Sequence, residues 1–187
     1  MTAGEAGATG EELVVLVDED GTPVGTAPKA EIHTDATPLH LAFSCYVLDA
    51  RGRTLLTRRA LSKTTWPGVW TNACCGHPGP GETSEDAVVR RMRDELGLEV
   101  ARVRPLLPDF RYRAVASDGI VENEICPVFV GEVVGDPVPA PDEVEEWAWI
   151  EIDDMLTAIA AAPMVFSPWS VLQVEQMRAR GVRPAHG

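Results

Sequence analysis

The sequence is short of positive charge. Its 187 residues include 16 lysines and arginines against 29 aspartates and glutamates, so the formal net charge is -13 at pH 7. Nucleic-acid-binding surfaces carry basic stripes that neutralise phosphates, and this balance therefore predicts no nucleic-acid partner. Two local groups run against the trend and favour a small anionic ligand, with solvated surface charge as the alternative: Arg51, Arg53, Arg58, Arg59 and Lys63, then Arg90, Arg91 and Arg93.

Long apolar runs and a secretion signal are also missing. No segment approaches the roughly 20 consecutive apolar residues that a membrane span requires. The N-terminal stretch MTAGEAGATGEEL is acidic and rich in small residues, and it lacks the basic and apolar regions of a signal peptide. We therefore expect a cytoplasmic protein without a membrane partner, with a flexible tail over residues 1–12.

Cysteine is scarce, and its pattern does not suggest a disulfide framework. The four cysteines are Cys45, Cys74, Cys75 and Cys126. Adjacent cysteines rarely bridge each other because the geometry is strained, and without a secretion signal we expect reduced thiols. Either Cys74 or Cys75 is a candidate for a reactive thiol, and a buried structural cysteine is the alternative.

The length fits one domain, which we expect over residues 13–180, followed by a C-terminal tail at 181–187. The clearest helix is predicted over residues 83–96, because Thr83 or Ser84 can cap its start and Gly97 can end it. Further helices are predicted at 152–161 and 168–180, the latter with Ser167 as its cap.

Strand patterns alternate with these helices. Strands are predicted at 13–17, 23–27, 41–48, 54–58, 100–106, 110–115, 121–132 and 145–150. Residues 60–80 read as irregular, and a loop is expected to carry Lys29, His33 and His40. Long irregular stretches in compact domains are usually functional or disordered, and the tryptophans and cysteines here argue against disorder. The mixture predicts a single α+β or α/β sandwich.

Histidine is rare, and three of the four histidines lie in or beside irregular segments: His33, His40 and His77. Imidazole is a common ligand of divalent metals. Glu122 and Glu124 lie two positions apart on a predicted strand, so their side chains share one face. Two neighbouring carboxylates repel each other unless a cation lies between them or one is protonated. This combination favours a site for Mg²⁺, Mn²⁺ or Zn²⁺, with a solvent-exposed polar face as the alternative.

The segment that starts at Gly76 resembles the Nudix box, written GX5EX7REUXEEXGU with U apolar. The residues that match are Gly76, Glu82, Arg90, Met92, Glu95, Gly97 and Leu98. Arg91 stands where the family has a glutamate, and Asp94 replaces the first of two glutamates. Those carboxylates hold the metal that activates water in Nudix hydrolases. Arg91 therefore argues against diphosphate hydrolysis, although Glu95 can still hold one Mg²⁺.

Longer runs resemble the type 1 isopentenyl-diphosphate delta-isomerase family: HTDATPLHLAFS, TRRALSKTTWPGVWTNACCGHP, DFRYRA, GIVENEICPVF and FSPW. The resemblance extends over about residues 13–176. It implies a Nudix-type α/β/α sandwich with a mixed sheet and a Nudix core at about 38–172. It also implies interconversion of isopentenyl diphosphate and dimethylallyl diphosphate, in isoprenoid biosynthesis, through protonation to a tertiary carbocation.

The same resemblance implies a site. Its catalytic residues are Cys75 and Glu124. A first divalent ion, Mn²⁺ or Mg²⁺ or Zn²⁺, is implied at His33, His40, His77, Glu122 and Glu124. A second ion, Mg²⁺, is implied at Glu95 and the backbone carbonyl of Cys75. The substrate-binding residues it implies are Lys29, Arg59, Lys63, Arg91, Tyr112 and Trp169. We expect an isoprenoid diphosphate as the small-molecule partner and a monomer or weak homodimer.

Two other functions compete with this interpretation. The first is a Nudix pyrophosphohydrolase that acts on a nucleoside diphosphate derivative, which would release phosphate. The second is a non-catalytic metal-binding module, for which Cys75→Ala and Glu124→Gln would leave biological activity intact. Isomerisation instead requires proton exchange into the carbons of the substrate without phosphate release.

Overall fold

The computed structural model describes residues 12–187, so the predicted N-terminal tail lies outside the described residues except for Glu12. The strands are β1 (Leu13–Val17), β2 (Pro23–Pro28), β3 (His40–Leu41), β4 (Phe43–Leu48), β5 (Thr54–Arg59), β6 (Trp70–Thr71), β7 (Cys74–Gly76), β8 (Val100–Leu107), β9 (Arg111–Val115), β10 (Val121–Ile125), β11 (Val128–Val133) and β12 (Val144–Ile150). The α-helices are α1 (Lys29–Ile32), α2 (Ser84–Leu96), α3 (Ile152–Ala161) and α4 (Pro168–Arg180), with a short 3₁₀ turn at Pro163–Val165.

The strands form two mixed sheets. The first has the order β2-β1-β3-β10-β9, and the second has the order β12-β5-β4-β11-β8. Two short strands extend the second sheet, since β6 pairs with β5 and β7 pairs with β4. Each sheet contains one parallel pair, β3 with β10 and β4 with β11, and its other pairs are antiparallel.

The chain crosses between the sheets twice at the same level. Only Ala42 separates β3 from β4, and only Cys126 and Pro127 separate β10 from β11. The Ala42 N–H donates to the Ile125 carbonyl at 2.9 Å, and the Ser44 N–H donates to the Pro127 carbonyl at 3.1 Å. The two sheets are therefore joined at this double crossing, where β3 and β10 of the first sheet lead into β4 and β11 of the second.

Helices cover both faces of the second sheet. Alternate residues of β4 point to opposite faces, so Phe43 packs in one apolar cluster with Met92 of α2. Tyr46 packs in the other cluster with Met177 of α4. Full burial of a side chain such as Met92 contributes about 2 kcal/mol. This arrangement of two helical layers around a mixed sheet confirms the predicted α/β/α sandwich.

The helices begin and end where their sequence signals predict. The Thr83 hydroxyl accepts a hydrogen bond from the Asp86 N–H at 3.1 Å and caps α2. Gly97 ends α2 with a φ of 63°, in the left-handed region that glycine adopts without strain. Ser167 caps α4 in the same way as Thr83. Among residues 12–187, no helix is long and apolar enough to cross a membrane.

Several predicted elements were wrong in detail. The strands predicted at 41–48 and 121–132 each divide into two, because each segment passes from one sheet to the other. The segment at 60–80, predicted to be irregular, contains β6 and β7, which are too short to show a periodic pattern. Lys29 begins a helix and His40 lies in a strand, so neither belongs to a loop.

The C-terminal segment at 181–187 lies against the second sheet. The Arg104 guanidinium donates to the Ala185 carbonyl, and His186 Nδ1 lies 3.2 Å from a Glu132 carboxylate oxygen. These contacts connect the end of the chain to β8 and β11, on the outside of the molecule and away from the cavity described next.

Candidate active site

A cavity of about 500 Å³ is lined by residues of both sheets. This volume lies within the usual range for small-molecule sites. Among the described residues, the cavity gathers nearly every side chain that the sequence predicted for the site: Lys29, His33, Arg59, Lys63, Cys75, His77, Arg91, Glu95, Tyr112, Glu122, Glu124 and Trp169. His40 does not line it, because this ring is fully buried behind Glu124 and His77.

One end of the cavity, here called the histidine end, consists of His33, His40, His77 and Glu124. One ligand atom from each residue lies within 4.8 Å of all the others. Glu124 Oε1 is 3.3 Å from His77 Nε2 and 3.5 Å from His40 Nε2. The parallel pairing of β3 with β10 places His40 directly opposite Glu124. His77 follows β7, and His33 follows α1.

The ring nitrogens at the histidine end are arranged for a cation. His40 Nδ1 donates to the Pro38 carbonyl at 2.9 Å. Burial opposes protonation of this ring, but Glu124 and the Pro38 carbonyl raise its pKa above the usual value. When the ring is neutral, the lone pair of Nε2 faces Glu124. His33 Nε2, His40 Nε2 and His77 Nδ1 are buried without a hydrogen-bond partner among the described residues. Each such group costs about 1–3 kcal/mol. Nitrogen and carboxylate donors in this geometry fit a divalent metal ion.

The charges at the histidine end suit the same ligand. Burial, reinforced by His77, lowers the pKa of His33 to about 4, and burial also lowers the pKa of His77. Burial opposes ionisation of Glu124, but the neighbouring His40 and His77 rings hold its pKa below the usual value. The cluster therefore presents a charged carboxylate with neutral rings at His33 and His77, the protonation states that bind metals.

Glu122 lies beside this cluster rather than within it. It shares the buried face of β10 with Glu124, as the sequence predicted. Its two carboxylate oxygens accept hydrogen bonds from Thr65 Oγ1 at 2.7 Å and from Tyr112 Oη at 2.6 Å. Burial and the nearby Glu124 charge raise the pKa of Glu122 to about 7. In this geometry both oxygens of Glu122 are already engaged.

The adjacent thiols of β7 point to opposite faces. Cys75 Sγ lies 3.3 Å from both Ser44 Oγ and Asn72 Oδ1, next to the aromatic side of the cavity. Cys74 packs in the apolar cluster of α2, with its Sγ 3.5 Å from Glu95 Oε2. Burial raises the pKa of Cys75 to about 12, so this side chain is a protonated thiol at neutral pH. The fold thus distinguishes Cys75 from Cys74, which the local sequence alone did not.

Aromatic rings form the wall next to Cys75. The ring centroid of Trp169 lies 6.0 Å from that of Tyr112 and 5.7 Å from that of Trp66. The Arg59 guanidinium lies 5.3 Å from the Trp169 centroid, so this indole already contacts one cation through its π face. The wall offers an apolar surface with electron-rich faces to a bound ligand.

A second part of the cavity, here called the arginine end, consists of Lys63, Arg91, Glu95 and Glu143. Arg91 and Glu95 are one turn apart on α2, and Arg91 Nε donates to Glu95 Oε1 at 2.7 Å. Arg91 also donates to Glu143 at 3.1 Å, and the Lys63 ammonium pairs with the same carboxylate. Burial opposes ionisation of Arg91, but the two carboxylates keep its pKa above the usual value. The charges at this end are mutually neutralised.

The two groups predicted to hold a second ion meet at the Cys74 thiol. Cys74 Sγ lies 3.5 Å from Glu95 Oε2 and 3.8 Å from the backbone carbonyl oxygen of Cys75. Oxygen donors of this type suit Mg²⁺. Both groups that the resemblance implies for this ion therefore lie near the Cys74 sulfur.

The remaining basic residues of the site also have internal partners. The Lys29 ammonium lies 2.9 Å from the Glu12 carboxylate. Arg59 Nε donates to the Thr65 and Trp66 carbonyls, both at 3.2 Å. A ligand at these cations therefore has to share or replace existing contacts.

Four residues that the sequence interpretation missed lie within the cavity or directly beneath it: Glu12, Ser44, Asn72 and Glu143. Asn72 stands two positions before Cys74, and Glu143 belongs to an acidic run that reads as solvated surface. The sequence next to Asn72 and Glu143 does not mark either residue as part of a site, because the groups that surround them come from distant parts of the chain.

Two solved structures share the fold of this chain. The chain superposes on a crystal structure from Deinococcus radiodurans with a TM-score of 0.66 and 21% identity, over 88% of this chain and 98% of the other. It also matches the crystal structure of a MutT NUDIX hydrolase from Burkholderia pseudomallei with a TM-score of 0.55 and 25% identity, over 74% and 97% of the two chains. These likenesses show the fold.

Sequence relatives show the family. The NUDIX domain model matches residues 38–172. The isopentenyl-diphosphate Delta-isomerase of Mycolicibacterium vanbaalenii is 56% identical over 91% of this chain and 94% of its own length. The corresponding proteins of Kocuria rhizophila and Klebsiella pneumoniae are 57% and 54% identical, each over 90% of this chain and at least 92% of their own lengths. The chain therefore belongs to the isopentenyl-diphosphate Delta-isomerase family of NUDIX-domain proteins.

Proposed function

We propose that the chain interconverts isopentenyl diphosphate and dimethylallyl diphosphate by proton transfer between Cys75, Glu124 and the substrate. One observation carries the proposal: a thiol from the second sheet and a carboxylate from the first sheet face a single cavity beside an aromatic wall. An allylic isomerisation needs a proton donor and a proton acceptor on different sides of one small apolar fragment. The identity to isomerases over nine tenths of the chain supports the same activity.

The protonation states favour separate roles for the two groups. Cys75 is a protonated thiol, whereas Glu124 is a charged carboxylate. In the forward direction, the Cys75 S–H bond breaks and its proton forms a C–H bond at the terminal alkene carbon. The resulting tertiary cation then loses a proton from the neighbouring methylene to the carboxylate of Glu124, and a new double bond forms. The reverse reaction exchanges these roles.

The arginine end is the proposed site for the diphosphate group. Lys63 and Arg91 are partly buried cations on one side of the cavity, and Lys29 and Arg59 flank them. Guanidinium and ammonium groups bind phosphate oxygens by charge-assisted hydrogen bonds. Because Glu143 and Glu95 now occupy these donors, the diphosphate has to displace or share these internal carboxylates when it binds.

The ion sites are proposed from the donors that the cavity provides. His33, His40, His77 and Glu124, with Glu122 beside them, would hold one divalent ion, Mn²⁺, Mg²⁺ or Zn²⁺. Glu95 and the Cys75 carbonyl would hold Mg²⁺ near the diphosphate. Bound ions of this kind supply positive charge that orients a carboxylate and neutralises phosphate oxygens.

The aromatic wall has a proposed role in the cationic stage. The π face of Trp169 can stabilise a desolvated cation by about 2 kcal/mol. Tyr112 and Trp169 are both buried, so they also keep water away from the carbon that carries the charge. Exclusion of water matters because a tertiary cation reacts with water to give an alcohol.

Proton NMR of isopentenyl diphosphate in deuterated buffer with Mg²⁺ tests this function. The expected result is dimethylallyl diphosphate that contains deuterium, with no phosphate released. Release of phosphate without deuterium incorporation would support a hydrolase instead. If the purified protein bound divalent ions but gave neither result, a metal-binding module would be the better description.

A further inference from the structure

Asn72 is a buried amide with a fixed orientation next to Cys75. Its side chain is fully buried between β6 and β7. Asn72 Nδ2 donates to the Cys45 carbonyl at 3.0 Å and to the Cys74 carbonyl at 2.8 Å. Since a side-chain amide nitrogen has only two hydrogens, both donors are used. The amide therefore cannot flip without leaving two buried carbonyls unpaired, and its oxygen has to face the opposite side.

The oxygen of this amide receives the side chains that form the reactive part of the cavity. Asn72 Oδ1 lies 3.3 Å from Cys75 Sγ and 3.2 Å from Trp169 Nε1, and Thr71 Oγ1 donates to it at 2.9 Å. A carbonyl oxygen can only accept hydrogen bonds. Consequently the Cys75 thiol has to be the donor in its contact with Asn72, as Ser170 Oγ is at 3.3 Å. The single indole hydrogen of Trp169 has a nearer acceptor in Thr71 Oγ1, at 2.9 Å.

Ser44 completes the environment of the sulfur from the other side. Its Oγ accepts a hydrogen bond from Gln173 Nε2 at 2.8 Å and lies 3.3 Å from Cys75 Sγ. The hydroxyl hydrogen of Ser44 is thus free to point at a sulfur, either Cys75 or, at 3.5 Å, Cys126. With the Cys75 hydrogen directed at Asn72, the lone pairs of this sulfur are available to the Ser44 hydroxyl.

We propose that Asn72 is a positioning residue that holds the Cys75 S–H in one rotamer, while Ser44 stabilises the sulfur after its proton has moved to the substrate. The inference rests on the proposed proton transfer from Cys75. In that step the S–H bond breaks, a C–H bond forms at the alkene, and the thiolate keeps the electron pair. The Ser44 hydroxyl then faces the thiolate.

Steady-state kinetics of Asn72→Leu and Ser44→Ala, with Mg²⁺ present, test the proposal. Misplacement of a reacting group lowers turnover by about 10²-fold, so we expect this loss in kcat for Asn72→Leu with little change in KM. We expect roughly a tenfold loss of kcat for Ser44→Ala, because a hydrogen bond to a charged group disappears. Thr54→Ala is the control, since it removes a fully buried hydroxyl of β5 from a residue that does not line the cavity. We expect this control to lower the Tm and to retain the kcat of the parent.

The infrared S–H stretch of Cys75 gives a readout that does not depend on activity. The band is assigned as the difference between the parent and Cys75→Ala, both without substrate. We expect it to move to higher wavenumber in Asn72→Leu, because the thiol loses its acceptor, and to stay unchanged in Thr54→Ala.

Two results would overturn the inference. The first is an unchanged Cys75 band in folded Asn72→Leu, and the second is an unchanged kcat in folded Ser44→Ala. If Asn72→Leu fails to fold, Asn72→Ala, which also removes the acceptor of the Cys75 thiol, replaces it in both measurements. Failure of the proposed function is distinguishable, because it would appear as absent isomerisation in the parent protein while the infrared band still responded to Asn72.

Discussion

The two ends of the cavity differ in how their buried polar groups are paired. At the histidine end, three ring nitrogens are buried without hydrogen-bond partners among the described residues. At the arginine end, Lys63 and Arg91 are neutralised by Glu95 and Glu143 through direct contacts. At the histidine end these nitrogens are unpaired among the described residues, whereas the charged groups of the arginine end are paired with one another.

This difference indicates how each end recognises its ligand. A buried nitrogen without a hydrogen-bond partner destabilises the folded protein. A cation that binds this nitrogen removes that destabilisation. The paired charges of the arginine end carry no such cost. The net binding free energy of a diphosphate there is the difference between its own contacts and the internal ion pairs that it replaces. We therefore expect metal binding to change stability strongly and substrate binding to be more sensitive to substitutions among the internal carboxylates.

The largest expected effect is the removal of divalent ions. Excess chelator should abolish turnover, and an added divalent ion should restore it. A ligand at 100 times its Kd stabilises a fold by about 2.7 kcal/mol, so ion addition should raise the Tm of the parent. The gain should be smaller in His77→Asn, because one of the orphaned nitrogens is replaced. Full activity and an unchanged Tm in excess chelator would contradict the reading of the histidine end.

Substitution of the two reactive groups should have the next largest effect. Cys75→Ala and Glu124→Gln should each lower kcat by about 10³-fold, since each removes a proton donor or acceptor. Circular dichroism should show that both variants remain folded. Cys45→Ala serves as the control, because this buried thiol of β4 does not line the cavity. Near-normal turnover in Cys75→Ala together with loss in Cys74→Ala would show that the wrong thiol had been assigned.

A smaller effect should follow from Glu143→Gln at the arginine end. Loss of this carboxylate frees Lys63 and Arg91, so pyrophosphate should bind about fivefold more tightly in the presence of Mg²⁺, as expected for a partly exposed ion pair. Isothermal titration calorimetry measures the change. Glu146→Gln removes the same charge from an exposed pair with Arg58 and should leave the affinity nearly unchanged. Weaker binding by Glu143→Gln would mean that Glu143 orients the two cations rather than competes for them.

The smallest effect concerns the helix that carries the arginine end. Thr83→Ala removes the cap of α2 and should lower the free energy of unfolding by about 1 kcal/mol. Denaturant titration measures this loss. We expect kcat and KM to stay at the parent values, because Arg91 and Glu95 lie two and three turns into the helix. A change in KM for pyrophosphate-bearing substrates would show that the arginine end depends on the helix terminus.

Local signals were sufficient for part of the fold. The bounds of α3 and α4 were predicted correctly, and α2 was predicted to within one residue. A cap and an end glycine mark α2 and α4, whereas α3 has only its apolar face. The divided strands were not predicted. The first part of the segment 121–132 pairs with β3 and the second part with β4. Both partners lie roughly eighty positions away in the chain, and local sequence patterns carry no information about such distant pairing. Pro127 was the one local sign of a break, since proline disrupts a strand ladder.

The candidate site was predictable to a similar degree. The residue types of the histidine end are unusual in this chain, and the Nudix box identifies Glu95 by its spacing. By contrast, Asn72 and Glu143 have ordinary neighbours in sequence. Asn72 was identified by its hydrogen bond to the Cys74 carbonyl, and Glu143 by its contact with Arg91. Only the tertiary structure shows these contacts.

The double crossing between the sheets has a consequence for the order in which the molecule assembles. The pairs β3–β10 and β4–β11 join segments roughly eighty residues apart, and such long loops close slowly because closure costs entropy before contacts form. Glu124 and Ser44 both lie within two residues of this crossing. The Cys75 thiol and the Glu124 carboxylate therefore face one cavity only after these distant segments have paired, so we expect the site to form late in folding.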